Sequence, residues 1–137
     1  MSRWRNEAFD KLPELRKLLQ TEKSAYSFLS GLVDRLHKAY TQKDEDLIRR
    51  IYDYAKWCLD LPRGKDAADD LPTIVTVSFF EHLPQHAEIR RDVGRWLPRK
   101  DVEGMKQVFL YHGSEEQFQE MLSSCCVTKF QKSPTRR

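Results

Sequence analysis

The least polar stretch of the chain lies at its centre, between Asp70 and Leu83. Its apolar residues face more than one side of any regular element, so that element must be covered nearly all round. The spacing fits a strand and a helix alike, but Pro72 at an early position and the acids before it favour a helix. We predict a buried central helix that Pro84 ends. The acids expected to cap it are Asp66, Asp69 and Asp70.

Amphipathic helices are predicted before this stretch, because apolar residues recur there at three- and four-residue spacing. The pattern covers residues 9–19, 25–40 and 44–59. Thr21 or Ser24 provides an N-terminal cap for the second of these helices, and the third opens at Asp44. The sequence before the central stretch therefore predicts three helices with short connections.

A second series of helices is predicted after Pro84. A short helix over residues 87–97 is weakened by Gly94, and another runs from Pro98 to Gly113. Ser114 and Gln117 then have the spacing of a capping box for a last helix, and nothing indicates order beyond Cys126. The fold class is therefore all-α, as an irregular bundle of about six to seven short helices or as stacked helical hairpins.

The length of 137 residues suits one domain, and we place it at residues 1–124 with a flexible basic tail at 125–137. The net charge of +3 comes from this tail, because residues 127–137 hold four basic side chains and no acidic one. The remaining body is close to neutral. This distribution argues against a nucleic-acid binder, which would concentrate positive charge on one face.

Location and redox state follow from composition. No window is apolar enough for a membrane-spanning helix, and the first residues lack the apolar core of a secretion signal. We therefore expect a cytoplasmic protein with reduced cysteines and no membrane partner. Cys58 lies on an apolar helix face and should be buried, whereas the adjacent Cys125 and Cys126 should be more exposed.

Glu81, His82 and His86 are the residues most suggestive of a metal site, because imidazoles four residues apart on a helix can share an ion. Pro84 lies between the two histidines and weakens this interpretation. Glu81 alone fits a structural ion pair better than catalysis. The partners expected for it are Arg90, Arg91 and Arg95.

Arg91 and Arg95 with Trp96 form a second candidate, a basic patch with an aromatic platform for phosphate or nucleic acid. Acidic residues are interspersed among these cations. The net charge that this region presents to a phosphate backbone is therefore small, and an ordinary solvated surface around one core tryptophan is the favoured interpretation.

A protein interface is the third candidate, on the helix that opens at Asp44. Tyr52, Tyr54 and Trp57 lie there beside Asp53 and other acids, and exposed aromatic residues are favoured as interface anchors. An acidic and aromatic face could thus bind another protein. The alternative, a plain solvated helix face with single exposed aromatics, also remains open.

Several short motifs resemble those of small, uncharacterised bacterial all-helical proteins. The motifs are Phe79-Phe80-Glu81-His82-Leu83, Arg95-Trp96-Leu97-Pro98 and Phe109-Leu110-Tyr111-His112 followed by Phe118. The resemblance covers roughly residues 45–122. It implies an all-helical fold and an accessory or immunity type of protein rather than an enzyme, with no functional residues to carry over.

The combined prediction is a non-enzymatic cytoplasmic protein that binds another protein, as an immunity or adaptor factor, without a cofactor. The chain has no phosphate-binding glycine loop, dinucleotide fingerprint or nucleophile elbow. Two alternatives stay open: a metal-dependent enzyme using Glu81, His82 and His86, and phosphate or nucleic-acid binding through Arg91, Arg95 and Trp96. A homo-oligomer is also compatible with the sequence.

Overall fold

A computed structural model describes residues 3–65 and 70–132, with side chains described up to Cys125. The chain divides into two compact units, one ending at Phe80 and the other beginning at Glu81. Within the described ranges both units contain helices and no strands, which confirms the predicted all-α class. Compact units of one chain can fold together or separately, so the single domain at residues 1–124 stays a prediction.

The part of the first unit that the structure describes contains five α-helices and a 3-10 turn at Pro13–Leu15. Pro13 divides the first predicted helix because proline lacks an N–H and crowds the preceding turn. The α-helices are α1 (Arg3–Lys11), α2 (Arg16–Thr21), α3 (Ala25–Thr41), α4 (Glu45–Leu59) and α5 (Leu71–Ser78).

Side-chain caps fix the starts of the two longest helices of this unit. The Ser24 hydroxyl accepts the amide of Ser27 at 3.1 Å, and a carboxylate oxygen of Asp44 accepts the amide of Leu47 at 3.2 Å. Lys43 adopts a left-handed conformation with φ of 57° and turns the chain between α3 and α4. The predicted helix starts are therefore confirmed, with Ser24 rather than Thr21 as the cap of α3.

Arg50 connects α4 to the chain that leaves α1. Its guanidinium donates to the Lys11 carbonyl at 2.9 Å, to Glu14 at 2.7 Å and to Asp46 at 2.8 Å. The hydrogen bond from Arg50 holds the pKa of Glu14 below its usual value. One cation thus binds a helix end and two carboxylates, and one of these acids, Asp46, also pairs with Arg49.

The central helix exists, but it is shorter than predicted. The α-helix ends at Ser78, Phe79 leaves helical geometry with φ of −120° and ψ of −65°, and a 3-10 segment follows at Phe80–Gln85. Pro84 lies inside this segment, where it cannot donate a hydrogen bond. The prediction that Pro84 ends the α-helix is therefore wrong, because the α-helix ends six residues earlier, at Ser78.

Asp70 does not cap α5 as predicted. Its carboxylate accepts the Thr73 hydroxyl at 2.7 Å and the Gly64 amide at 3.3 Å, and no side-chain cap hydrogen bond reaches the helix amides. The Thr73 hydroxyl is the main reason why the pKa of Asp70 is lowered. The other two predicted caps, Asp66 and Asp69, lie outside the described residues.

Besides most of the 3-10 segment Phe80–Gln85, the second unit has four α-helices and a 3-10 turn at Val93–Arg95 among its described residues. The one helix predicted from Pro98 to Gly113 is two, because Gly104 has low helix propensity and Met105 departs from helical geometry. The longest helix packs against all the others of this unit. The α-helices are α6 (Ala87–Arg90), α7 (Arg99–Gly104), α8 (Lys106–His112) and α9 (Glu115–Lys132).

Helix α9 begins with the predicted capping box and extends farther than predicted. The Ser114 amide donates to the Gln117 side chain at 3.0 Å, and the Gln117 amide donates to the Ser114 hydroxyl at 3.1 Å. The helical backbone continues past Cys126 to Lys132. Among the described helices of both units, none has the length and apolarity needed to cross a membrane.

Gly94 is a point of close backbone approach in the second unit. Its amide donates to the Ser124 hydroxyl at 2.8 Å, and a β-carbon at position 94 would overlap the backbone of Cys125. The sequence indicated only that Gly94 weakens a helix. The structure adds that the missing side chain allows the 3-10 turn to lie directly on α9.

We expect Gly94→Ala to destabilise the protein by at least about 1–3 kcal/mol, as overpacking does, because backbone atoms must move to admit the methyl group. Urea unfolding measures this loss. The matched control is Gly104→Ala, where a β-carbon meets nothing within 4 Å and the change should be neutral or slightly stabilising. Equal unfolding midpoints for the two variants would contradict the close approach.

Phe79→Ala should lower the free energy of unfolding by about 3–5 kcal/mol, because the ring is fully buried and contacts Tyr52 and Phe80. Phe9→Ala serves as the control, since Phe9 is only partly buried. A loss at position 79 no larger than that at position 9 would mean that the core does not lie around Phe79.

Candidate functional site

The predicted acidic and aromatic face of α4 does not present its tyrosines to solvent. Tyr52 is 2% exposed and Tyr54 is 0% exposed, whereas Asp53 between them is exposed. Tyr54 donates its hydroxyl to the Trp4 carbonyl at 3.0 Å, and Trp57 stacks on it, half-buried, with centroids 5.9 Å apart. The correction is that the two tyrosine rings are core residues. Binding through the rest of this face remains a prediction.

Two cysteines, Cys58 and Cys125, are core residues in the same way as the two tyrosines. Cys58 is fully buried, as predicted, and burial raises the pKa of its thiol to about 12. Cys125 is also buried, so the prediction of an exposed thiol there is wrong, and the Cys126 side chain lies outside the described residues. A thiol with a raised pKa is a poor nucleophile, which argues against catalysis by Cys58.

Cys58 should therefore resist alkylation in the folded protein, because only the thiolate reacts and the side chain is inaccessible. We expect mass spectrometry after iodoacetamide treatment at pH 8 to find the Cys58 peptide unmodified until denaturant is added. Modification in native buffer as fast as in denaturant would contradict the burial of this residue.

The predicted metal ligands are not assembled as a metal site. Among the side chains that the structure describes, no three histidine, cysteine, aspartate or glutamate residues gather in a group that could hold an ion. Glu81 instead lies 3.4 Å from the Nε2 atom of His112, and His82 stacks on His112. His86 lies beyond Pro84, at the residue that precedes α6.

Arg91 and its neighbour Arg90 bind an acid on α9. The two Nε groups donate to the two carboxylate oxygens of Glu120, at 3.2 Å from Arg91 and 2.7 Å from Arg90. The hydrogen bond from Arg90 is the main cause of the lowered pKa of Glu120. These arginines were predicted as partners of Glu81, and the structure corrects this, because Glu120 occupies both.

Arg95 and Trp96 share an acid in the same way. Arg95 lies 3.3 Å from a carboxylate oxygen of Asp92, and the Trp96 indole N–H donates to the other oxygen at 2.8 Å. The Arg95 guanidinium also lies 4.8 Å from the Trp96 ring centroid. The aromatic platform and cation of the predicted phosphate patch are thus adjacent, but an acid faces both of them.

A different group of side chains forms an organised surface in the second unit. It joins the 3-10 segment Phe80–Gln85 to the end of α8, and we name it the Tyr111 surface. Tyr111 is 72% exposed, the largest exposure among the described large hydrophobic residues. The members of the Tyr111 surface are Glu81, His82, Gln85, Tyr111 and His112.

Ring contacts organise this surface. His82 and His112 stack with centroids 4.7 Å apart and planes 17° apart, and Tyr111 meets the His112 ring edge-on at 4.8 Å. Gln85 places its amide nitrogen 3.3 Å from the Nδ1 atom of His82. Because an amide nitrogen only donates, Nδ1 of His82 is the acceptor in this contact. Glu81 fixes the second imidazole from its Nε2 side.

Gly113 allows the two segments of the Tyr111 surface to approach. A β-carbon at this position would lie 2.7 Å from the Phe109 carbonyl oxygen and 3.1 Å from Cβ of Pro84. The capping box that follows then directs α9 away from this turn. The 3-10 segment containing Pro84 is thereby held against the end of α8.

The Tyr111 surface brings one aromatic side chain together with several polar groups. It combines one exposed phenol ring with imidazole, amide and carboxylate groups whose positions are already set by mutual contacts. It contains no serine, threonine, cysteine or lysine nucleophile. The sequence alone does not reveal this surface, because His82 and His112 are thirty residues apart. The motif Phe109-Leu110-Tyr111-His112 indicated a resemblance but not this contact.

Comparison with known proteins assigns the chain to a family. It belongs to the family defined by a domain of unknown function, DUF7674, whose profile matches residues 5–109. The match includes most of α1, all of α2 to α7 and most of α8, and it stops two residues before Tyr111. No curated protein and no solved structure matches the chain.

Proposed function

We propose that this protein is a non-enzymatic, cytoplasmic protein-binding module of the immunity or adaptor type, and that the Tyr111 surface contacts the partner. The observation that carries the proposal is the 72% exposure of Tyr111 beside the paired His82 and His112 rings. A tyrosine is among the residues most often found at the centre of interfaces, where it loses water on both sides of its ring.

Pre-organisation supports this role. Ordering a side chain on binding costs about 0.5–1.5 kcal/mol, and the contacts of His82, His112 and Gln85 remove part of that cost in advance. The hydrogen-bonding groups of the other members of the Tyr111 surface lie around the phenol ring. The surface therefore has the composition of a small interface centre, one aromatic anchor surrounded by polar groups.

Protein binding is favoured over the two alternatives by the contacts of the predicted residues. A phosphate would compete with Glu120 for Arg91 and with Asp92 for Arg95. A metal would require a third ligand that the described residues do not bring to Glu81 and His112. A partner protein needs neither a free cation nor a ligand set. A second copy of the chain is one such partner, and light scattering would detect it.

The test is capture by the immobilised full-length protein from lysate of the source organism, followed by measurement of Kd with the purified partner. We expect Tyr111→Ser to weaken binding by at least about thirtyfold, the effect of losing an interface hot spot. Tyr26→Ser is the matched control, because Tyr26 is the other exposed tyrosine, at 53%, and lies in the first unit.

The same measurement distinguishes the Tyr111 surface from α4. Asp53→Asn removes an exposed charge from the face predicted from sequence without disturbing the buried tyrosines. If Asp53→Asn weakens binding and Tyr111→Ser does not, the partner contacts α4 and the proposed surface is wrong. If only nucleic acid is retained and salt removes it, the protein-binding function itself is overturned.

A further inference from the structure

A small pocket in the first unit combines an apolar floor with a basic rim. Its volume is about 150 Å³. The floor consists of Leu15, Ala39 and Leu47, each 9% exposed or less. The polar rim consists of Arg35 and Lys38 on α3 and Gln42 just after the end of this helix. No residue of this pocket belongs to the Tyr111 surface.

The two cations of the rim have no acidic partner among the residues that the structure describes. Arg35 and Lys38 lie one turn apart on α3, where like charges repel and destabilise a helix. Across the described residues, no acid approaches either charged group within ion-pair distance. This differs from Arg50, Arg90 and Arg91, which all bind carboxylates.

The acids nearest in sequence to the floor are engaged elsewhere. Glu14, beside Leu15, binds Arg50, and Asp46, beside Leu47, binds Arg49 and Arg50. Neither is available to the rim. An anion that entered the pocket would therefore meet two cations without displacing a carboxylate, and it would relieve their mutual repulsion.

We infer that this pocket binds a small organic carboxylate with one ring or a short branched chain. A cavity of about 150 Å³ lined by apolar side chains holds a benzene ring, which sets the size of the apolar part. The guanidinium of Arg35 matches the two oxygens of a carboxylate, and Lys38 adds a point charge. Inorganic phosphate fits less well, because the apolar floor offers it no hydrogen-bond partner.

The probe is benzoate, with benzamide as its neutral counterpart of the same shape and inorganic phosphate as the anion without an apolar part. We expect benzoate to shift the NMR signals of the Leu15 and Leu47 methyl groups with a Kd on the order of 1 mM, as a small open pocket allows. Benzamide and phosphate should bind at least about tenfold more weakly, since each lacks one of the two interactions.

Substitutions of the two rim cations test whether they bind the carboxylate of benzoate. Arg35→Gln and Lys38→Gln should each weaken benzoate binding by about tenfold, the value of one charge-assisted contact. Lys100→Gln, which removes an exposed cation from α7 in the other unit, is the control and should change nothing. Amide spectra of all three variants verify that they remain folded.

Three results would overturn the inference: equal binding of benzamide and benzoate, benzoate binding that survives both rim substitutions, or no shift of the floor residues at any benzoate concentration up to about 50 mM. None of these results concerns Tyr111. The proposed protein-binding function is tested separately, by the capture experiment with Tyr111→Ser.

Discussion

The burial of tyrosine rings on opposite sides of α4 is the constraint on which the first unit depends. Two residues along an α-helix point about 200° apart, so Tyr52 and Tyr54 are both buried only when the helix is covered twice. Tyr54 packs against Phe28 of α3, and Tyr52 packs against Phe79 at the end of α5. Helix α4 is therefore a central element, with little of its aromatic surface left for a partner.

In the second unit, the constraint on which the other helices depend is the close approach of the Gly94 backbone to α9. Helices α6, α7 and α8 have four to seven residues, and helices so short are not stable in water by themselves. Each packs against α9, and the turn at Gly94 lies nearest to it. The Ser124 hydroxyl accepts the Gly94 amide and donates to the Met121 carbonyl at 2.7 Å, so both segments share one hydrogen-bonded centre.

Local signals in the sequence predicted three of the helix starts, because a cap involves residues only three positions apart, whereas the cap predicted at Asp70 does not form. Ser24, Asp44 and the pair Ser114 and Gln117 all behave as predicted. Local signals could not predict contacts between residues that are far apart in the sequence. The stacking of His82 on His112, and the ion pair of Arg90 with Glu120, each join residues thirty positions apart, and the charge pattern alone assigned Glu81 the wrong partners.

Ion pairs with acids neutralise much of the basic surface of the second unit. An exposed ion pair contributes only about 0–1 kcal/mol, so the pairs of Arg91 and Arg95 matter less for stability than for neutralising their own surface. The basic residues that sequence analysis selected are neutralised in this way. Among the described residues, the exposed ring of Tyr111 and the pocket lined by Arg35 and Lys38 are the two places for which we propose a ligand. The two proposals differ in chemistry, because the first requires a protein partner and the second a small apolar carboxylate.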